Sequence, residues 1–319
     1  MIEWRGLHHR IAHEYLPEEM HTPMKSLNGA DLKSITRFLH TLPIFSVFGF
    51  KILGAAFAFA LTVVIGRYLG AEDAGIYYTT ISATLLLAFL GSFGLPQVVM
   101  REVAVGVHKK DPSFRHSIQR VLKIAAVATS FLSVVVLIGG ADIAGSLFKQ
   151  PSLALYLPWT VLALIGTVVF NLAAESLRGF QQIAYYSYLM FAGVNLVSAV
   201  ILVSAYGGLG ESGNFHPLDV SIFAYVVACV VNAGLALVFV RKVITRTDQG
   251  SISLGQVSSN AGLSVGQLVR SGSAFLGYGF ATQGIQWIAP LVLAYFRTSD
   301  EVAIYSSALR ISTLVHRKV

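Results

Sequence analysis

The stretch VVIGRYLGAEDAGIYYTTISATLL, Val63 to Leu86, recurs in the same register as LVLAYFRTSDEVAIYSSALRISTL, Leu291 to Leu314. Ile76 and Tyr77 fall on Ile304 and Tyr305, and the acidic pair Glu72 and Asp73 falls on Asp300 and Glu301. Each copy straddles the gap between two apolar runs, so the first run corresponds to the seventh and the second to the eighth. A repeat unit of six helices follows, and the second unit is represented by its first two. Because six is even, both units enter the membrane from the same side. That relation predicts a pseudo-twofold axis along the membrane normal, with a pathway between the halves.

Outward from the repeat, the rest of the chain has the composition of a bilayer protein. Of its 319 residues 55% are hydrophobic and only 12% charged, with a mean hydropathy of +0.66, outside the range of water-soluble domains. The apolar residues come in blocks of about 20, enough for a helix to cross a hydrocarbon layer of about 30 Å. An all-α polytopic membrane protein of about eight spans is expected, at 44–66, 75–95, 121–140, 153–173, 184–206, 219–240, 272–295 and 302–316. In domain terms, 1–43 is a cytoplasmic tail, 44–240 a first six-helix bundle, 241–271 a cytoplasmic linker and 272–319 the start of a second bundle. No cleavable signal peptide is expected before the first span, whose polar leader is too long for an n-region. From Asn28 the stripe Leu32, Ile35, Phe38, Leu39 and Leu42, with Asp31 as a cap, predicts an interfacial helix leading into it.

The net charge of +7 reads as topology. Basic residues are spread over short loops, and no basic domain interleaved with aromatics exists to hold nucleic acid. With the N-terminus inside, the outer loops hold only Arg67, Lys149 and Arg297, and most of the 23 Lys and Arg residues fall on the cytoplasmic side, as the positive-inside rule requires. The single cysteine, Cys229, falls in an apolar run and reads as a small buried side chain. His9 and His13 have helical spacing but lack further ligands, so no metal and no cofactor are expected. GGLGESG, from Gly207, has glycine spacing without a strand before it and reads as a loop.

Four motifs in order resemble the polysaccharide transport branch of the multidrug/oligosaccharidyl-lipid/polysaccharide exporter superfamily, which includes O-antigen flippases. They are RYLGAEDAGIYY, GSFGLPQVVMRE, ESLRGFQQIAYYS and EVAIYSSALRIS. The resemblance implies an inner-membrane carrier, not an enzyme, that moves an undecaprenyl-diphosphate-linked oligosaccharide during surface polysaccharide and lipopolysaccharide synthesis. Its partners would be that lipid-linked glycan, membrane lipids and polysaccharide polymerase machinery. Members of the branch have a dozen or more spans, so the resemblance also implies a chain that stops early. Rival readings are a multidrug or metabolite antiporter, a membrane glycosyltransferase using Glu72 and Asp73, and an inactive truncated product.

Embedded charge marks the candidate site, because a cation at mid-bilayer costs about 2.5 to 3.5 kcal/mol unless a partner, wet cavity or ligand offsets it. Lys51 lies roughly 10 Å into span one and Arg310 roughly 12 Å into span eight, at about 1.5 Å per residue. Arg101 ends span two beside Glu102. No carboxylate falls mid-span in this reading, so the cavity favours an anion such as a pyrophosphate. Asn195, Gln283 and Gln286 are candidate sugar contacts, with hydrogen bonding between helices as their alternative role, as it is for Asn232. Pro158 and Pro290 are candidate kinks.

Overall fold

The computed structural model describes residues 29–109, 114–146, 148, 150–208, 216–249 and 264–316. Met1–Ile44 and Phe45–Val319 are separate compact units, and the packing below concerns the second. The His9 and His13 pair and most of the GGLGESG loop lie outside the described residues. Among those described, every regular element is helical. Six helical stretches are long and apolar enough to cross a membrane: Val47–Tyr68, Gly70–Ser92, His116–Ser146, Pro151–Gly179, Ile183–Tyr206 and Pro217–Arg246.

In chain order the helices are α1 (Gly29–Tyr68), α2 (Gly70–Ser92), α3 (Leu95–Lys109), α4 (Phe114–Ser146), α5 (Leu157–Gly179), α6 (Ile183–Ser187), α7 (Val194–Gly208), α8 (Pro217–Gln249), α9 (Val265–Phe296) and α10 (Ser299–His316). A 3-10 turn, Pro151–Tyr156, leads into α5, and a π-helical segment, Tyr188–Gly193, joins α6 to α7. The stretches expected as spans seven and eight are helical, as α9 and α10, but among the described residues neither is one of these six; Gln286–Phe296 in α9 is a shorter apolar helix. The Asp31 side chain, expected as a cap, lies outside the described residues.

Burial tells centre from rim. The apolar window of α2 is 67% buried, against 28% for α4, so α2 runs through the middle while α4 turns Val127, Phe131 and Ile138 outward. α5 packs on α8, α3, α2 and α4, and α9 and α10 both pack on α2. Two apolar cores result. One gathers Leu61, Ile65, Tyr77, Leu202, Tyr225 and Cys229. The other gathers Leu95, Val98, Leu164, Leu177, Leu189 and Leu268.

Several boundaries differ from the sequence reading. The segment after span two is not a plain loop but contains α3. Its Gln97, Arg101, Glu102 and His108 depress hydropathy, yet Leu95, Val98, Val99 and Val103 form a buried stripe at helical spacing. α9 starts earlier than expected because Ser264 and Gln267 form a reciprocal capping box. Pro158 does not kink span four. It occupies the first turn of α5, where a missing N–H costs nothing.

The GSFGLPQVV motif is where α2 stops. Phe93 and Gly94 adopt positive φ, 51° and 66°, and Pro96 then starts α3. A Cβ on Gly94 would overlap the Gly272 carbonyl oxygen and the Leu276 nitrogen of α9. Turn and close approach therefore both demand glycine.

Candidate functional site

The two copies of the repeat face each other across a cavity. Tyr78, Ile81, Ser82 and Leu85 lie at i, i+3, i+4 and i+7 on α2, which puts them on one face. Ser306, Leu309 and Arg310 have the same spacing on α10. Gln286, Trp287 and Pro290 of α9 complete the wall of a cavity of about 130 Å³. In the register of the repeat, Tyr78 pairs with Ser306, Ile81 with Leu309 and Ser82 with Arg310. Three pairs of equivalent positions thus line one cavity, as an axis between two like-oriented units requires.

The Arg310 guanidinium carbon lies 4.7 Å from the centroid of the Tyr78 ring, a cation–π contact. The Tyr78 and Ser306 hydroxyls are buried and have no hydrogen-bond partner among the described residues. A buried hydroxyl in that condition costs about 1 to 3 kcal/mol, so two of the lining residues hold hydrogen-bonding capacity in reserve. A cavity near 150 Å³ takes up a benzene-sized guest. One of about 130 Å³ holds a phosphate-sized group and is too small for an oligosaccharide.

Of the expected site residues, the structure brings Arg310 and Gln286 to this cavity. Gln283 lies one turn before Gln286 on α9, and its side chain is outside the described residues. Lys51 is elsewhere: exposed on α1, with its ammonium 5.4 Å from the Phe191 ring centroid. Arg101 is exposed on α3 and pairs with Glu102 at 3.5 Å. Asn195 is half-buried at the start of α7. Asn232 donates from Nδ2 to the Leu189 carbonyl at 3.2 Å and ties α8 to the π segment. Among the described residues, no three His, Cys, Asp or Glu side chains come together to hold a metal ion.

The acidic pairs Glu72–Asp73 and Asp300–Glu301 occupy the first turns of α2 and α10, where acids stabilise a helix through its dipole. Asp73 lies 3.8 Å from His216, and Glu301 lies 3.5 Å from Arg297. Sequence reasoning missed Tyr78, Ser82, Trp287 and Ser306. Three of them carried a signal: Ser82 is the repeat partner of Arg310, and Tyr78 and Ser306 sit one turn before that pair.

The reading of embedded charge as wholly cationic needs correction. α5 continues to Gly179, six residues past the expected end of span four, and includes Glu175, whose side chain is only 7% exposed.

No curated protein and no solved structure matches the chain. A family model described as "Polysaccharide biosynthesis protein" matches residues 43–319, nearly the whole chain. This all-helical membrane protein, with its cavity between repeated helices, belongs to the polysaccharide biosynthesis protein family.

Proposed function

We propose that the chain is the carrier, or the larger part of the carrier, for a lipid-linked glycan with an anionic diphosphate head. The observation that supports this best is the cavity on the repeat axis. It brings together the Arg310 guanidinium and two buried hydroxyls, and among the described residues no carboxylate lines it. Arg310 supplies fork-like donors to a phosphate oxygen, and Tyr78 and Ser306 supply hydroxyl donors. The cavity takes the phosphate, while sugars and isoprenoid tail stay outside it. Rocking of the two units about the axis then exposes the bound head to one side and the other in turn.

The asymmetry of Lys and Arg supports an inner-membrane location with the N-terminus in the cytoplasm. An interior-negative potential then favours outward movement of the anionic head by about 2.3 kcal/mol per charge per 100 mV. Polymerase machinery on the far side would consume the delivered glycan. Glu72 and Asp73 serve as first-turn residues in this reading, and no sugar transfer is assigned to them.

The test is scrambling of an undecaprenyl-diphosphate-linked oligosaccharide by the chain in proteoliposomes. Arg310→Ala is expected to abolish transport and Arg310→Lys to retain part of it. Full transport by Arg310→Ala would remove the proposed head-group site. An organic cation that competes more strongly than the diphosphate lipid would favour an antiporter instead.

A further inference from the structure

Glu175 is a buried carboxylate that the head-group site does not use. It lies near the end of α5, and burying such a charge costs several kcal/mol unless partners compensate. Two groups act on it. Arg178, one turn further along the same helix, places Nη1 3.4 Å from Oε2, and Tyr186 of α6 adds a side-chain hydrogen bond. Arg178 itself is 47% exposed, so the ion pair runs from packed protein to the surface. On α3, which also packs against α5, the charges Arg101 and Glu102 pair with each other.

From this carboxylate a chain of contacts leads to Lys51. The Arg178 guanidinium carbon lies 5.4 Å from the Tyr186 ring centroid. Tyr186 meets Phe191 edge to face, with centroids 6.3 Å apart and planes at 82°. Phe191 in turn carries the Lys51 ammonium at 5.4 Å. Phe191 belongs to the π segment, which the Asn232 amide pins at the Leu189 carbonyl. On α1, Gly54 follows Lys51 by one turn and packs so tightly on the Phe191 carbonyl that a Cβ would overlap it. A shift of Phe191 is therefore a shift of α1 at Lys51.

We infer that Glu175 is a proton-binding site whose charge state positions Lys51 through Tyr186 and Phe191. As a carboxylate it holds Arg178 and Tyr186 against the end of α5. A hydronium ion beside Arg178 passes its proton to Oε2 and leaves as water, which neutralises the carboxyl and ends the ion pair. Arg178 then turns to solvent as an unpaired cation, and the Tyr186 ring loses the guanidinium that lies against it. A π turn has a second arrangement available, the ordinary α turn, so the segment that Tyr186 abuts is a two-state element of the kind that carries coupling between sites. Sequence reading placed no carboxylate mid-span; this one supplies a route by which pH reaches a membrane-embedded cation.

The test uses the full chain in nanodiscs and needs neither cargo nor transport, so its failure is separate from a failure of the carrier reading. Infrared difference spectra across pH follow protonated carboxyl groups, and mass spectrometry follows acylation of Lys51 at one fixed pH. Glu175→Gln is expected to lack a carboxyl band that wild type gains on acidification, and to change Lys51 acylation by about threefold. Glu175→Asp restores the wild-type level. Tyr186→Phe, which keeps the ring and removes the hydroxyl, shifts the titration midpoint and serves if the Gln variant does not fold. A full set of titrating bands in Glu175→Gln, equal Lys51 acylation in Glu175→Gln and wild type, or an unmoved midpoint in Tyr186→Phe would each overturn the inference.

Discussion

Helices α2 and α10 carry the same Ile-Tyr pair in equivalent places, yet the two pairs live in different surroundings. Ile76 and Tyr77 are 7% and 2% exposed, whereas Ile304 and Tyr305 are 69% and 37% exposed. Tyr78 and Ser306, the next equivalent positions, are both buried, at 2% and 4%. The difference separates two faces of one repeated helix. The face that looks across the axis is covered in both copies because each copy covers the other. The face that looks into its own bundle is covered in α2 by α5 and α8, while α10 packs on α2 and α9. Burial of a residue is thus set by its neighbours, and identical side chains at equivalent positions make different contributions to stability.

The sharpest way to break this comparison is to truncate the matched tyrosines. Tyr77→Ala removes a buried ring and is expected to cost about 3 kcal/mol, the range of aromatic-to-alanine changes in cores. Tyr305→Ala should stay within about 0.5 kcal/mol, as exposed substitutions do. Unfolding in mixed micelles with rising denaturing detergent measures both, and equal losses would mean that α10 has cover the structure does not show.

The axis pair comes next. Arg310→Ala removes a charge-assisted contact of about 1.5 to 3 kcal/mol and should weaken binding of a fluorescent diphosphate lipid by roughly 10- to 100-fold. Its repeat partner tells against mere crowding in the cavity: Ser82→Ala, which removes a single hydroxyl, is expected to change that affinity by less than about fivefold. Equivalent losses at both positions would make the cavity a packing feature and not a site.

The smallest effect tests the symmetry itself. Replacing Glu72 and Asp73 by Gln and Asn, or Asp300 and Glu301 by Asn and Gln, should cost about 0.3 to 1 kcal/mol in either copy, the size of a first-turn dipole effect. A much larger loss of function from the first pair alone would favour a catalytic role for Glu72 and Asp73.

Much of this architecture was legible in the residues, because lipid-length apolar runs and a repeat are coarse signals that packing does not alter. Val63 to Leu86 and its copy announced that α2 and α10 would be equivalent, and applying that register to Arg310 finds Ser82. Features at the edges of spans were harder. Hydropathy ended span four before Glu175, although helix geometry carries on to Gly179 and buries it. α3 hid because five charged or polar residues share it with its apolar stripe. Nothing in YSYLMFAG marks a change of helix type within span five, where the Leu189 carbonyl accepts from the Asn232 amide of a helix distant in sequence.

The π segment also changes how span five is to be read. An ordinary helix advances by about 100° per residue, and a π turn holds one residue more than an α turn. A helical wheel drawn straight through 183–208 therefore falls out of phase at Tyr188, and every position after Gly193 points about one residue's rotation away from where the wheel puts it. Asn195 and Ser198 present the sides they do because of that single surplus residue. Removing one residue between Tyr188 and Gly193 would bring the two halves of the span back into step and swing both polar groups to a new bearing.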